Sequence, residues 1–547
     1  MKTVFTIILA LCTSLIIGQN VIRGPYLQSP TDTKIHIKWR TDVATQSHVW
    51  YGTSPSSLLQ LVSSSALVEN HEVVLINLQP FTTYYYAVGN QNGIISQGAN
   101  FYFKTSPTIG TVQPIRTWVI GDFGKGNQSQ LDVMHSYLNF NGSNHTDVWL
   151  WLGDNAYQDG TDTEYQNNVF NQYDSIMPYM PFFPTPGNHD YNSMNGYNIL
   201  LPTLHTAHNG AFYDIVTAPI NGEIGGFPSG TEAFYSYEYG NVHYICFNSE
   251  IQNTNSRNTV MEDWLTQDLA QNTKDWTIVY FHQAPYSKGS HDSDDIWEIF
   301  MRGIRKNILP IIDAGGVDLV LSGHSHNYER SYLMKGHYDY SNTIQPSMFL
   351  NTTSGNPDEG NAYKKYYNGS NCNYEGIVYC VMGNSGSKTS PGDDEGLNHP
   401  VMYISDGEDA VGSLILDIHG DTLTGTYIRS SGAVIDKFQM QRVNGCNFTS
   451  VEENSVEIEQ SIVVKVFSDY KTGEFRIRFD ITEQSPVTIQ LFDMNGRVVY
   501  QKDFGVLSSG AHYHTIDTES LGIPTGVYNF LIQNVNSSVS KKVFRIK

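Results

Sequence analysis

Five stretches of this chain carry an apolar run that stops at a side chain able to hold a metal. Trp118-Val119-Ile120 leads to Gly121-Asp122, and Val148 to Leu152 leads to Gly153-Asp154-Asn155-Ala156-Tyr157. Phe182-Phe183 leads through two prolines to Gly187-Asn188-His189-Asp190. Trp276 to Phe281 ends at His282, and Val317 to Leu321 leads to Gly323-His324-Ser325-His326. Taken singly, each is an ordinary turn, since Gly-Asp closes strands and Asn and Asp satisfy their own backbones. Five in succession, each just past an expected buried strand, point to one site, because ligands gather at the carboxyl ends of strands in open α/β sheets. Carboxylates, a phenol, an amide and imidazoles together suit hard and borderline cations. Asp154 and Tyr157 are three apart, so a helical turn is expected to bring them to one side. An extended segment would point His324 and His326 the same way, letting two imidazoles reach two ions about 3.5–4 Å apart.

The elements that must position these residues are legible in the texture of residues 113–443. Short runs rich in Val, Ile, Leu and Trp alternate with helix-like stretches such as Ser256 to Leu269 and Asp294 to Ile311. That pattern predicts an α/β core with buried strands. Residues 331–376 are a long polar insert, which predicts a lid or a disordered excursion. Residues 21–108 read as an all-β domain: Lys34-Ile35-His36-Ile37-Lys38-Trp39-Arg40 alternates as a half-buried strand does. A tyrosine follows a Pro-marked turn in Leu78-Gln79-Pro80-Phe81-Thr82-Thr83-Tyr84, as at the corner of a sandwich. Residues 444–460 read as a linker. Strand-like runs return over 461–547, at Phe475 to Ile481, Val487 to Met494, Val498 to Phe504 and Val527 to Ile532, with Asp493 to Arg497 as a hairpin turn. Residues 1–18, with Lys2 and the apolar run Val4 to Ile17, have the form of a signal peptide. No later run is apolar and long enough to span a bilayer.

Several of these segments resemble known families. Metallophosphoesterases open on Asp-x-His, whose histidine binds the first metal; this chain has Asp122-Phe123-Gly124, and the missing ligand is matched by Tyr157 in Gly-Asp-x-x-Tyr. That exchange marks the purple acid phosphatases. The likeness continues in Gly187-Asn188-His189-Asp190, in His282 followed by His291, in Gly323-His324-Ser325-His326-Asn327-Tyr328-Glu329-Arg330, and in Tyr235 to His243. Arg23-Gly24-Pro25-Tyr26-Leu27-Gln28 and the Leu-x-Pro-x-Thr-x-Tyr run resemble the fibronectin-III-like domain that precedes such catalytic domains. Gly526-Val527-Tyr528 and the terminal Lys541 to Lys547 resemble the C-terminal sorting domain of type IX secretion.

The resemblance implies a multidomain chain: an α/β metallophosphoesterase β-sandwich core, with βαβ units and helices outside, flanked by two all-β sandwich domains. It implies that Asp122, Tyr157 and His326 hold Fe(III), that Asp154 bridges, and that Asn188, His282 and His324 hold a divalent ion: Zn, Mn or Fe(II). It further implies that a metal-bound hydroxide attacks a phosphate monoester, with His189 and His291 beside the substrate oxygens and His189 favoured as the acid. The donor chemistry agrees, because a carboxylate and a phenolate suit Fe(III) while imidazoles and an amide oxygen suit a divalent ion. A phosphodiesterase or nucleotide hydrolase on the same metals is the nearest alternative, and a non-catalytic surface adhesin is the alternative from another class.

Charge and cysteine content limit the partners. With 32 Lys+Arg against 54 Asp+Glu the net charge is -22, which disfavours nucleic acid as the main partner. A phosphate-ester substrate must then be drawn by a local positive centre. The expected partners are a small-molecule ester and, through the C-terminal domain, the secretion machinery; the expected location is outside the cell or on its surface. Export permits disulfides, and of Cys246, Cys372, Cys380 and Cys446 the nearest pair, Cys372 with Cys380, is the expected bridge.

Overall fold

A computed structural model describes residues 19–367, 375–388, 399–407, 409–444, 462–469, 474–493, 497–535 and 538–545. The expected signal peptide and nearly all of the expected linker lie outside these residues. The chain divides into two compact units, Met1–Cys446 and Asn447–Lys547.

The first unit begins with a six-stranded antiparallel sheet organised around the 18-residue strand Ile35–Gly52. Its first half pairs with Val21–Gln28 and its second half with Thr83–Asn90, while Gln60–Leu75 runs along both. Alternate residues turn inward, so Ile35, Ile37, Trp39 and Val49 pack with Tyr86, Val88 and Phe103 in one core. The corner tyrosine behaves as the Pro-marked turn predicts: the Tyr84 hydroxyl accepts the Gln79 N–H at 2.9 Å. This sheet docks on the next layer through Tyr26, which belongs to the core of the larger domain. Arg23 and Arg40 both pair with Asp162, at 2.9 and 2.6 Å.

The larger domain holds two seven-stranded sheets over a shared core. One contains the parallel strands β1 (Ile115–Ile120), β2 (Val148–Leu152) and β3 (Phe182–Thr185). The other contains the parallel pair β4 (Trp276–Tyr280) and β5 (Leu319–Ser322). All residues of β2 to β5 are buried, which explains why their sequences are continuous apolar runs rather than alternating ones. Helices cover the sheets where caps allow them to start. Asn127 accepts the Gln130 N–H to open Gln128–Asn141, and Asn258 accepts the Met261 N–H to open Thr259–Gln271. The helix expected over Asp294 to Ile311 is two shorter ones, Ile299–Asn307 and Leu309–Ala314. Pro310 sits in the first turn of the second, where its missing N–H costs nothing.

The polar insert after Ser331 is neither a lid nor a disordered excursion over its described residues. Leu333–Met334 pairs with Phe349–Asn351, and Tyr363–Tyr367 joins the first sheet parallel to Val434–Asn444. Leu333, Met334 and Tyr363 enter the main core, and buried polar bonds supplement these few apolar contacts. Arg330, fully buried, donates to Asp436 at 2.5 and 2.9 Å, to the Tyr363 hydroxyl at 3.0 Å and to the Ser354 carbonyl at 2.9 Å. Arg330 is therefore a structural cation. Asp436→Ala leaves that guanidinium buried without its counter-ion and is expected to cost about 3–5 kcal/mol. Denaturant unfolding would show this as a lower midpoint with an unchanged slope; a midpoint within error of the native chain would refute it. His243 is likewise structural, buried with its Nε2 2.8 Å from Asp268. Cys246 and Cys380 are buried free thiols, so the expected bridge through Cys380 does not form; Cys372 and Cys446 lie outside the described residues.

The second unit pairs a three-stranded sheet with a four-stranded one. Phe475, Ile477, Phe479 and Ile481 alternate inward on Glu474–Ile481 and pack with Val487, Ile489 and Leu491 of Ser485–Phe492. Residues 494–496 of the expected hairpin turn lie outside the described set, but the strands on either side, Ser485–Phe492 and Val498–Leu507, pair antiparallel. Among the described residues no helix is long and apolar enough to cross a membrane.

Candidate metal centre

Five strand ends from two sheets meet at one point, and glycines make the meeting possible. A Cβ at Gly153 would lie 2.5 Å from His282 Nδ1, and one at Gly187 would lie 2.3 Å from the Asp154 backbone nitrogen. The glycine before each ligand thus lets the β2 loop approach both the β3 loop and the end of β4. Asp122, Asp154 and His324 have φ of 54°, 49° and 69°, a left-handed conformation that non-glycine residues adopt at a cost and that gathers at functional sites. These turns replace two expected geometries. Asp154 and Tyr157 are brought together by a turn rather than by a helix. His324 and His326 diverge from a left-handed residue rather than from an extended one.

Asp122, Tyr157 and His326 form one cluster. The Tyr157 hydroxyl lies 3.2 Å from Asp122 Oδ1 and 3.4 Å from His326 Nε2, and His326 Nε2 lies 3.6 Å from Asp122 Oδ1. Asn188, His282 and His324 form a second. Asn188 Oδ1 is 3.1 Å from both His282 Nε2 and His324 Nδ1, and the two ring nitrogens are 3.3 Å apart. Asp154 stands beside the second cluster, with Oδ1 3.4 Å from His282 Nε2, and ligand atoms of Asp122, Asp154 and His282 all fall within 4.8 Å of one another.

The protonation of His282 decides what the second cluster can hold. Its Nδ1 is 2.9 Å from the Leu152 carbonyl, an acceptor only, so Nδ1 carries the proton. Burial holds His282 below its usual range, which leaves Nε2 a bare lone pair. That lone pair faces two acceptors, Asn188 Oδ1 and Asp154 Oδ1, and also His324 Nδ1 at 3.3 Å. The two oxygens cannot donate to it, and a cation placed among these atoms would be held by all of them. His324 is pushed down to about 3 by burial and then by His291, and His326 to about 3 by burial and then by Lys125, so both imidazoles are neutral, the form in which they could bind a metal. The carboxylates tell the same story. Burial, then the charge of Asp154, raises Asp122 well above the carboxylate range. Burial of Asp154 is outweighed by His282 and His189, which hold it low. Burial, then Asp122 and Asp154, pushes the Tyr157 phenol well above 10. A cation bound among them would supply the charge that favours all three anions.

Backbone bonds hold the donors in place. The His324 N–H donates to Asp122 Oδ2 and the His189 N–H to Asp154 Oδ1, both at 2.9 Å. Asp190 clamps the β2 and β3 loops together, accepting from Asn155 N, Asn155 Nδ2, Gly187 N and the Tyr165 hydroxyl. The two remaining histidines sit at the mouth, with side chains 22% and 34% exposed for His189 and His291. His189 Nδ1 bonds the Gln158 carbonyl at 2.6 Å, and His291 Nδ1 bonds Glu298 Oε1 at 2.6 Å. Each therefore keeps its Nε2 free. Glu298 is the residue that sequence reasoning missed: it bonds the mouth histidine His291, and its Oε2 lies 3.7 Å from His324 Nε2, beyond hydrogen-bond reach but close enough to act on that imidazole by charge.

Three segments of the chain resemble known families. Residues 115–328 match the calcineurin-like phosphoesterase family, 24–105 the purple acid phosphatase N-terminal domain, and 471–547 the secretion system C-terminal sorting domain. Purple acid phosphatase 18 of Arabidopsis thaliana is 26% identical over 55% of this chain and 64% of its own length. Acid phosphatase type 7 of Homo sapiens is 25% identical over 54% of this chain and 67% of its own. The purple acid phosphatase of yellow lupin (Lupinus luteus) seeds superposes with a TM-score of 0.56 at 19% identity, covering 76% of this chain and 74% of that one. The chain spans about three fifths of the length of the curated relatives it matches.

Proposed function

We propose that this chain, which has the phosphoesterase and N-terminal domains of the purple acid phosphatases, is an exported phosphate-monoester hydrolase with a binuclear metal centre. The observation that carries the reading is the convergence of seven donors from five strand ends, with the His282 Nε2 lone pair turned toward Asn188 Oδ1, Asp154 Oδ1 and His324 Nδ1. Asp122, Tyr157 and His326 are the set for Fe(III); Asn188, His282 and His324 are the set for Zn, Mn or Fe(II); Asp154 is shared. Bound there, such a pair would supply a water-derived nucleophile at neutral pH and neutralise charge on the transferring phosphoryl group.

The chain's own residues do the rest. His189 and His291 flank the mouth with Nε2 free, where they hold the ester oxygens and carry a proton to the leaving alcohol. Gln158 and Glu298 fix which ring nitrogen faces the substrate. The buried walls under the centre exclude bulk water, so these polar contacts act at low dielectric. The sorting domain fits release outside the cell or onto its surface.

The test is metal analysis beside turnover of an aryl monophosphate and an aryl phosphodiester. Bound iron with a second metal, and faster turnover of the monoester, are expected; a metal-free active protein or a preference for the diester would reject the reading. A phenolate on ferric iron absorbs visible light, so Tyr157→Phe is expected to bleach the colour of the iron-loaded protein. Unchanged absorption in that variant would remove Tyr157 from the ligand set.

A further inference from the structure

We propose that Trp297, with Ile296 beside it, is the platform for the substrate's leaving group, and that this group is planar and aromatic; the proposal rests on the monoesterase reading above. Trp297 is 81% exposed and Ile296 61%. An indole left in water forgoes one of the largest burial gains any side chain offers. The turn that presents it is nevertheless firmly tied. Asp295 N bonds Asp292 O at 2.8 Å, Trp297 N bonds Asp295 Oδ1 at 2.9 Å, and Ile299 N bonds Trp297 O at 2.8 Å. Arg302 holds the Ile296 carbonyl at 3.2 Å.

The place of this turn is set by its next residue. Glu298 bonds His291 and reaches His324, so the Trp297 Cα lies one peptide step, about 3.8 Å, from a residue in contact with both. An ester with its phosphate at the metals and its leaving oxygen at the mouth histidines must send its alcohol outward past them. A second apolar run flanks the same ground. Ile199, Leu200 and Leu201 are 56%, 62% and 46% exposed. Asn253 Nδ2 donates to the Ile199 carbonyl at 3.2 Å, and the adjacent Thr254 N donates to the Ile299 carbonyl at 3.0 Å. Two neighbouring residues therefore tie the run that follows His189 to the run that follows His291. Scattered exposed apolar residues need no explanation, but two tied runs downstream of the two mouth histidines do.

An indole offers a flat π-face, which suits a nucleobase or an aryl ring. The chain's net charge of -22 sets it against an anionic membrane surface, so a lipid phosphate in a bilayer is the poorer occupant.

Adenosine 5′-monophosphate and ribose 5-phosphate share the leaving hydroxyl and differ in the base, so their ratio of kcat/KM isolates this subsite. The native chain is expected to favour the nucleotide. Trp297→Ala is expected to reduce that preference roughly tenfold, mainly through KM, and Trp297→Phe to keep most of it, since a base–aromatic stack is of this size. A native chain without the preference, a ratio unmoved by Trp297→Ala, or a larger loss on a short-chain phosphatidate would overturn the subsite. A chain that turns over neither sugar ester fails the monoesterase reading instead. Calorimetry with the same two compounds then decides the subsite separately, equal affinities overturning it.

Discussion

Asp154→Asn is expected to lose metal and activity together, with turnover down by at least about a thousandfold, while the apoprotein remains folded. The substitution keeps an acceptor at Oδ1, so the bond from the His189 N–H at 2.9 Å survives. What it removes is the charge. Asp154 is 2% exposed, and its Oδ1 is 3.4 Å from the bare His282 Nε2. Losing that charge would deprive the proposed metal pair of the anion assigned to both ions. It also relieves Asp122, which burial and then Asp154 push upward, so the apo variant gains what the loaded enzyme loses. Chelation should therefore separate the two proteins. Metals that bind only the native state stabilise it by mass action, so a chelator should lower the Tm of the native chain. It should leave the Tm of the variant almost unmoved. Metal analysis that finds both ions in the variant at native stoichiometry would refute the shared-carboxylate role.

The strand ends could be found in the sequence because buried parallel strands are continuous apolar runs, and each run here stops abruptly at a polar donor. Local spacing carried no information about how the loops then turn. Asp154 and Tyr157 meet through a turn that starts at the left-handed Asp154, and Gly153 and Gly187 let that same loop touch the ends of other strands; neither feature has a signature in an i, i+3 spacing. Glu298 was hidden for a similar reason. It is one acid among Asp292, Asp294 and Asp295, and its role depends on the turn that folds it back onto His291, seven residues earlier. An acid within ten residues of a mouth histidine was the signal available. The insert after Ser331 misled because its few core side chains, Leu333, Met334, Ile344 and Tyr363, are spread among many polar residues, and Arg330 and Asp436 add buried polar ties; polarity alone reads as loop.

His189→Ala is expected to lower turnover of an alkyl phosphate by roughly 10²–10⁴-fold with both metals retained. The ring is 22% exposed, its Nε2 stays 3.8 Å from Asp154 Oδ2, too far for a bond, and it packs on the Tyr157 ring with centroids 4.5 Å apart, so its loss removes no proposed metal donor. Its Nδ1 is spent on the Gln158 carbonyl at 2.6 Å, which leaves Nε2 as the atom that can deliver a proton outward. His291 differs in that its ring packs on the His324 ring with centroids 4.0 Å apart and its Nδ1 partner Glu298 lies 3.7 Å from His324 Nε2, so truncating His291 disturbs the surroundings of a proposed ligand as well as the mouth. The two variants should therefore diverge in metal content before they diverge in rate. Leaving-group dependence separates the proton-transfer role of His189 from simple phosphate holding. A residue that protonates the departing oxygen matters most for poor leaving groups, so the loss should shrink on passing from an alkyl phosphate to 2,4-dinitrophenyl phosphate. An equal loss on both esters would make His189 a phosphate holder, and loss of metal would make it part of the centre.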